Sequence, residues 1–208
     1  LCCQGCVAEI EAHPDKYRLV TTLQDIEAAK AAGCIAIGFD LEGAMPLLEQ
    51  PDMVALYKSL GVHQMHLAYN RNNSVAGGCH DVEQGLTPLG HQVVAAINAA
   101  GVLMDCSHTG RKCSLDIMAA SSAPVIFSHA NPQALIDHGR NITDEQIKAC
   151  AATGGVVCIN GVSFFLGTTT PTAAGPPPAA TASPPKRPKA APATPPAPCA
   201  WRRATSSA

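Results

Sequence analysis

Residues 87–108 read TPLGHQVVAAINAAGVLMDCSH, and this stretch contains a helix, its stop and a strand. Thr87 precedes Pro88, and proline suits the first position of a helix. Apolar residues then recur every four positions, which is typical of one buried helix face. Gly101 supplies the stop. The apolar run at 102–104 is short enough to predict a buried strand directly after the helix.

The same alternation continues on both sides of this stretch. Five apolar runs predict strands, at residues 34–39, 62–69, 102–104, 125–127 and 156–159. Helical stretches separate them, and strands that alternate with helices imply parallel βαβ units in a sheet buried on both faces. Five strands fit a doubly wound sheet. They also fit part of a (β/α)8 barrel, which typically needs about 250 residues. Periodicity alone does not choose between the two.

Polar side chains follow three of the predicted strands. Glu42 comes after the first run, Asp105 and His108 after the third, and His129 after the fourth. In a barrel these carboxyl ends converge on one mouth. Carboxylate and imidazole are suitable ligands for zinc or a similar divalent ion. We therefore interpret this edge as a metal site, and a polar cap without an ion is the alternative.

Composition limits the classes of function. Of 208 residues, 47% are hydrophobic and 14% are charged, so most of the chain is expected to bury a core. A net charge of −2 argues against a dedicated nucleic-acid binder. No apolar stretch of about 18 residues occurs, so no membrane segment is expected.

The charge and the prolines are unevenly distributed. Residues 168–208 contain no Asp or Glu, five Lys or Arg, and 11 of the 17 prolines. Such a composition cannot bury a core, and repeated proline removes backbone donors. We therefore predict a partial α/β barrel of about five βα units at 1–167 and a disordered, Pro/Ala-rich basic tail at 168–208. The abrupt loss of acidic residues also suggests translation out of frame.

Four short motifs stand out in the sequence: FDLEGA at 39–44, GLTPLG at 85–90, MDCSH at 104–108 and FSH at 127–129. Together with the sequence of residues 61–72, they resemble the membrane dipeptidase (renal dipeptidase) family. The resemblance covers about residues 14–167. It implies a TIM-type (β/α)8 barrel with two zinc ions, in which a metal-activated water hydrolyses dipeptides.

The resemblance also implies roles for individual residues. Glu42 would bridge both metal ions, and His108 and His129 would ligate the second one. Arg140 would hold the free carboxylate of the substrate, since guanidinium pairs bidentately with carboxylate. Tyr69 stands where the family often has a histidine that contacts the reacting substrate. Its hydroxyl could donate a hydrogen bond to an oxyanion, or the ring could serve only in packing.

Three differences from the family's pattern limit how far these roles can be transferred to this chain. The family's first metal ion needs a His-x-Asp pair on the first strand, and the only such pair here is His13-Pro14-Asp15. Its surroundings are polar and helix-like, so we interpret the pair as a chance match, a decoy that does not bind metal. The late-strand Asp of the family is not found, and Tyr69 replaces the usual histidine. The matching does not make His66 a ligand, and we assign the remaining histidines, His63, His80, His91 and His138, to surface or supporting roles.

Two hypotheses follow from the sequence. The first is a zinc metallodipeptidase represented by an incomplete copy, with part of its two-zinc site missing. The second is a non-catalytic α/β fragment that binds metal weakly or not at all. The expected partner is a small dipeptide substrate, with a second copy of the chain as a candidate homodimer partner and no nucleic acid. The compartment stays open, with the cytoplasm slightly favoured.

Overall fold

The computed structural model describes residues 4–167. The predicted tail at 168–208 lies outside the described residues and stays a prediction. The helices are α1 Gln4–Ala12, α2 Leu23–Ala32, α3 Met53–Ser59, α4 Pro88–Ala100, α5 Arg111–Ala120 and α6 Asp144–Ala152. The strands are β1 Tyr17–Leu19, β2 Ile35–Ile37, β3 Phe39–Glu42, β4 Val62–His66, β5 Leu103–Asp105 and β6 Val125–Ile126. Short 3-10 turns cover Met45–Leu47 and Ser163–Leu166.

The order of the strands decides the fold class. Strands β3 to β6 form a four-stranded parallel sheet in sequence order, and one helix connects each strand to the next. A parallel bridge between Phe127 and Val157 continues the same order beyond β6. A doubly wound sheet reverses its strand order at a switch point, and this sheet does not. The fold is therefore a partial (β/α)8 barrel, as one of the two sequence alternatives predicted.

The first predicted strand is divided in the structure. Residues 34–39 were expected to form one strand, but Gly38 separates β2 from β3. Strand β2 pairs with β1 in a two-stranded parallel sheet, whereas β3 pairs with β4. The sequence analysis did not predict β1. That strand is three residues long and exposes Arg18 at its centre, so it lacks the apolar run that identifies a buried strand.

Helix α4 begins and ends where the sequence predicts. The backbone N–H of Gly90 donates to Oγ1 of Thr87 (3.0 Å), which satisfies one of the free donors of the first turn. Gly101 ends the helix with φ = 63°, a left-handed conformation that glycine adopts without steric cost. Thr143 caps α6 in the same way, with Gln146 reaching back to the Thr143 N–H (2.9 Å).

The core lies between the sheet and the helices that follow each strand. Strand residues supply one side of it, and α4 and α5 supply the other. Its buried side chains include Leu41, Met65, Met104, Val125 and Phe127 from the strands and their ends, and Val93, Val94, Ile97 and Ile117 from the helices. This packing fixes the strand ends where the polar residues lie. Within residues 4–167, none of the helices combines the length and the apolar character that crossing a bilayer requires.

Candidate metal centre

Neighbouring strands place a row of polar residues across one edge of the sheet. Glu42 ends β3, His66 ends β4 and Asp105 ends β5. The register pairs Glu42 with His66 and His66 with Asp105. Register partners in adjacent strands point to the same face, so these three side chains are direct neighbours. His108 and His129 follow β5 and β6 at the same edge.

His108 and His129 meet through one nitrogen each. Their Nε2 atoms are 2.7 Å apart. Nδ1 of His108 lies 2.8 Å from Oδ1 of Asn70, and that oxygen only accepts, so the proton of His108 belongs on Nδ1 and its Nε2 carries a lone pair. Nδ1 of His129 contacts Oγ of Ser128 at 2.7 Å. Two lone pairs would repel at this separation, so a proton or a cation has to lie between the two Nε2 atoms.

The electrostatics keep both rings neutral near neutral pH. Burial, followed by the positive charge of Arg140, lowers the pKa of His108 to about 3. The same two causes lower the pKa of His129. A neutral imidazole is the form that binds a metal ion, because protonation occupies the ligating lone pair. The pair therefore suits zinc or a similar ion.

Glu42 adds a carboxylate to the cluster, and His66 adds a third imidazole to those of His108 and His129. Oε1 of Glu42 lies 4.0 Å from Nε2 of His129, and the Glu42 side chain is 44% exposed. One potential ligand atom each from Glu42, His66 and His129 lie within 4.8 Å of one another. The carboxylate of Glu42 and the imidazoles of His66 and His129 are groups that zinc binds in proteins.

His66 belongs to this cluster although the sequence analysis set it aside. The side chain is 1% exposed. Its Nδ1 lies 3.3 Å from the carbonyl oxygen of Leu41, and its Nε2 lies 2.9 Å from Oδ2 of Asp105. Burial acts to lower the pKa of His66, but contact with the Asp105 carboxylate outweighs it and the pKa is raised. The sequence analysis predicted a strand over residues 62–69, with His66 inside it, so no sequence signal marked this histidine as a strand-end residue.

The predicted site residues line one open cavity of about 370 Å³. They are Glu42, Tyr69, His108, His129 and Arg140, accompanied by Asn70, His80, Asn160, Val162 and Phe165. The structure thus brings together all five residues to which the family resemblance gives a role. Tyr69 stacks on His108, with ring centroids 4.2 Å apart and planes 22° apart, and it is 50% exposed.

Arg140 is buried beside this cavity, at 5% exposure. Its guanidinium carbon lies 5.6 Å from the centroid of the Phe165 ring, within the range of a cation–π contact. A buried arginine that faces a cavity presents a fixed positive charge with bidentate donors, and this combination suits a carboxylate. The site therefore places a buried positive charge beside the cluster of potential metal ligands.

Two backbone positions at the site are unusual. Asn70 has φ = 63° and His108 has φ = 68°. Asparagine and histidine enter the left-handed region more often than most residues, but a positive φ is uncommon for any residue with a side chain. Hydrogen bonds hold the two positions together, since the N–H groups of Asn70 (3.3 Å) and Cys79 (3.1 Å) both donate to the His108 carbonyl oxygen. Strain of this kind concentrates at functional sites.

The His13-Pro14-Asp15 sequence lies outside the cluster. It precedes β1 and therefore lies at the amino end of a strand, whereas the cluster lies at carboxyl ends. Nε2 of His13 contacts Glu9 of α1 at 3.3 Å. The expectation that no strand borders this pair was wrong, because β1 begins two residues after Asp15. Its interpretation as a decoy remains a prediction.

A cluster of potential metal ligands at the carboxyl ends of parallel barrel strands is typical of metal-dependent barrel proteins, and comparison with known proteins gives the family. The family model described as membrane dipeptidase (peptidase family M19) matches residues 6–186, and the chain belongs to this family. The resemblance found in the sequence is thereby confirmed. The match continues past residue 167, where we predict the tail to begin.

Individual relatives agree with this assignment. The chain is 28% identical to the dipeptidase tcpJ of Claviceps purpurea over 75% of its own length and 37% of that protein's. It is 32% identical to an uncharacterized dipeptidase of Schizosaccharomyces pombe over 68% of its own length and 35% of that protein's. The chain thus spans little more than a third of these curated relatives.

Solved structures share the fold. An amidohydrolase from Pseudomonas aeruginosa superimposes with a TM-score of 0.73 at 33% identity, over 75% of this chain and 48% of that one. A metallo peptidase from Rhodobacter sphaeroides, liganded with a phosphinate mimic of the dipeptide L-Ala-D-Ala, gives a TM-score of 0.73 at 25% identity, over 78% and 49%. The chain corresponds to about half of each structure.

Proposed function

We propose that this chain carries the metal-binding and carboxylate-binding part of a dipeptidase, and that it acts in metal-dependent hydrolysis of dipeptides. The observation that carries the proposal is the meeting of His108 and His129 through Nε2, 2.7 Å apart, on the cavity that Arg140 borders. Membership of the membrane dipeptidase family supports it, since relatives bear the name dipeptidase. The chain's own share of the site is incomplete.

Zinc is the ion that fits these residues best. Glu42, His108 and His129 are the residues that would hold it, with Glu42 as the carboxylate ligand shared between two metal positions. The donors are a carboxylate and two neutral imidazoles, which are ordinary zinc ligands. When zinc is bound, it lowers the pKa of a coordinated water and so supplies a nucleophile near neutral pH.

The remaining residues bind and orient the substrate. Arg140 pairs with the free carboxylate of a short peptide and sets the distance from that carboxylate to the cluster, which favours dipeptides. The Tyr69 hydroxyl donates to the oxygen that becomes negative when the peptide carbonyl is attacked. Half of Tyr69 is exposed on the cavity, where a substrate can reach it.

The second candidate is a non-catalytic fragment with weak metal binding. It is favoured by one observation: among residues 4–167 the only His-x-Asp pair lies before β1, at the amino end of its strand. Without a His-x-Asp pair at the cluster, the first metal ion of the family site would have only Glu42 as a ligand among residues 4–167. This candidate predicts zinc binding without hydrolysis.

A second copy of the chain is the partner that we propose for assembly. The end of the sheet beyond β6 exposes large apolar side chains, among them Val156, Ile159 and Phe164. Exposed apolar residues of this kind are removed from water when another surface covers them. Light scattering after size-exclusion chromatography tests this, and a mass of one chain at all concentrations contradicts it.

Hydrolysis of L-Ala-L-Ala by residues 1–208, with and without added zinc, tests the main proposal. We expect slow, zinc-dependent release of alanine that disappears in His129→Ala. The matched control is His91→Ala, because His91 is exposed on α4 and lies outside the cavity. Hydrolysis that persists in His129→Ala contradicts the assignment. Zinc binding with no hydrolysis in the unmodified chain supports the non-catalytic fragment instead.

A further inference from the structure

We propose that His66 is a metal ligand, so that one divalent ion binds to Glu42, His66 and His129. The inference rests on the metal centre of the proposed function but not on hydrolysis. It adds an imidazole from within this chain to the ligands that the proposed function gives this ion. The His-x-Asp pattern is not needed for such a set.

The strand register places His66 next to Glu42 and near His129. His66 is the direct partner of Glu42 in the β3–β4 pair, and its ring centroid lies 5.7 Å from that of His129. Ligand atoms around a tetrahedral zinc with bonds of about 2.1 Å are roughly 3.4 Å apart. The atoms of Glu42, His66 and His129 lie within 4.8 Å of one another. Rotation of the exposed Glu42 side chain can supply the remaining movement.

The hydrogen bonding of the ring carries the second step. Nδ1 of His66 faces the Leu41 carbonyl oxygen at 3.3 Å, and a carbonyl oxygen only accepts, so the proton belongs on Nδ1. This leaves the lone pair on Nε2. A backbone carbonyl that fixes the tautomer of a histidine in this way is a recurrent feature of metal sites.

Nε2 of His66 is buried and lacks an aligned hydrogen-bond partner. The His66 side chain is 1% exposed, and among residues 4–167 its Nε2 has no hydrogen-bond partner in line with it. A buried nitrogen without an aligned hydrogen-bond partner is destabilising. Either a cation or a proton can bind to it.

The surrounding charge favours a cation. Oδ2 of Asp105 lies 2.9 Å from Nε2 of His66, and Asp105 is fully buried. The backbone N–H groups of Ser107 (2.8 Å) and Ser128 (3.1 Å) donate to Oδ1 of Asp105 and keep it ionised. A divalent ion next to His66 would neutralise this buried carboxylate together with Glu42.

Binding of Co²⁺ to the full chain, residues 1–208, tests the inference through the visible absorption of the bound ion. In His66→Gln we expect at least a tenfold loss of affinity and a changed absorption spectrum, because an imidazole leaves the coordination sphere. His63→Gln is the matched control. It lies on the same strand with a buried Nε2 that also has no partner among the described residues, but its Nδ1 contacts Lys58. The control should leave affinity and spectrum unchanged.

An unchanged spectrum and affinity in His66→Gln overturns the inference, and the His66–Asp105 contact is then an ion pair with a proton in place of the metal. If that variant does not fold, as judged by circular dichroism without metal, Cu²⁺ bound to His108→Ala replaces it. Pulsed electron paramagnetic resonance should then count two coordinated imidazoles, and a count of one overturns the inference. Neither measurement depends on hydrolysis, so a failed dipeptidase assay leaves the result interpretable.

Discussion

Nε2 of His108 lies 2.7 Å from Nε2 of His129, although the two histidines follow different strands and are 21 residues apart. Each ring is held at its other nitrogen, His108 by Asn70 and His129 by Ser128. The protein thus fixes two ring nitrogens toward the same point before any ligand arrives. Such preorganisation is what a metal site requires, because the ion does not have to order flexible side chains on binding.

Zinc affinity should depend on both histidines as one unit. We expect His108→Ala and His129→Ala each to weaken zinc binding at least tenfold. The double variant should be only slightly weaker than either single one, because the two side chains ligate the same ion and their effects are not additive. Isothermal titration calorimetry measures all three. Additive losses would indicate that the two histidines bind separate ions.

The sequence could predict these histidines because they share a simple feature. Glu42, His108 and His129 each follow an apolar run, and parallel strands end at a common edge. The family motifs then connected Arg140 and Tyr69 to the same edge. Apolar periodicity and the order of the motifs were therefore enough to predict most of the fold and most of the residues that line the cavity.

The sequence could not show His66 in the cluster, because that depends on register. His66 neighbours Glu42 only because β3 and β4 pair with a shift between Phe39 and Asp40. Nothing in the apolar pattern encodes this shift. Strand β1 escaped prediction for a related reason, since its pairing with β2 and not its composition makes it a strand.

Asn70 should matter for metal binding through its side-chain oxygen. In Asn70→Gly the left-handed backbone stays accessible, but the acceptor for Nδ1 of His108 is lost, so the ring is free to rotate. We expect a 10- to 100-fold weaker zinc affinity, the usual effect of removing a hydrogen-bond partner of a ligand. Asn70→Asp keeps an acceptor and is the control that should retain binding. Equal affinity in the glycine variant would show that packing alone orients His108.

Arg140 should select ligands with a free carboxylate. We expect Arg140→Lys to weaken binding of a phosphinate dipeptide mimic to the zinc-loaded chain by about 1.5–3 kcal/mol, the contribution typical of hydrogen bonds to a charged group. Lysine keeps the charge but loses the bidentate geometry. The mimic with an amidated C-terminus should bind equally weakly to both proteins. Arg71→Lys is the control, because Arg71 is exposed and donates to the His80 carbonyl oxygen. If the unmodified chain binds the amidated mimic as tightly as the free acid, Arg140 does not contact the carboxylate.

Thr143 should stabilise the start of α6. Its Oγ1 accepts from the backbone N–H of Gln146 at 3.3 Å, and the Gln146 side chain returns to the Thr143 N–H. Thr143→Ala removes one half of this capping box and should lower the free energy of unfolding by about 1 kcal/mol. Thr143→Ser keeps the hydroxyl and should change it little. Urea denaturation followed by circular dichroism compares the two, and equal midpoints would show that the cap is not formed in solution.

Gly155 should tolerate no side chain, because of its contact with the end of β6. Its N–H donates to the Cys150 carbonyl oxygen at 3.1 Å, which holds the turn after α6 against the sheet. A Cβ built at this position would overlap the Val125 carbonyl oxygen and stand 3.0 Å from Sγ of Cys150. Since a backbone atom cannot move aside without shifting β6, Gly155→Ala should lower the free energy of unfolding by about 3 kcal/mol. Gly161→Ala is the matched control, because nothing lies within 4 Å of a Cβ there. Unfolding in urea should separate the two variants clearly, and similar midpoints would mean that the Val125–Gly155 approach is looser in solution than in the structure.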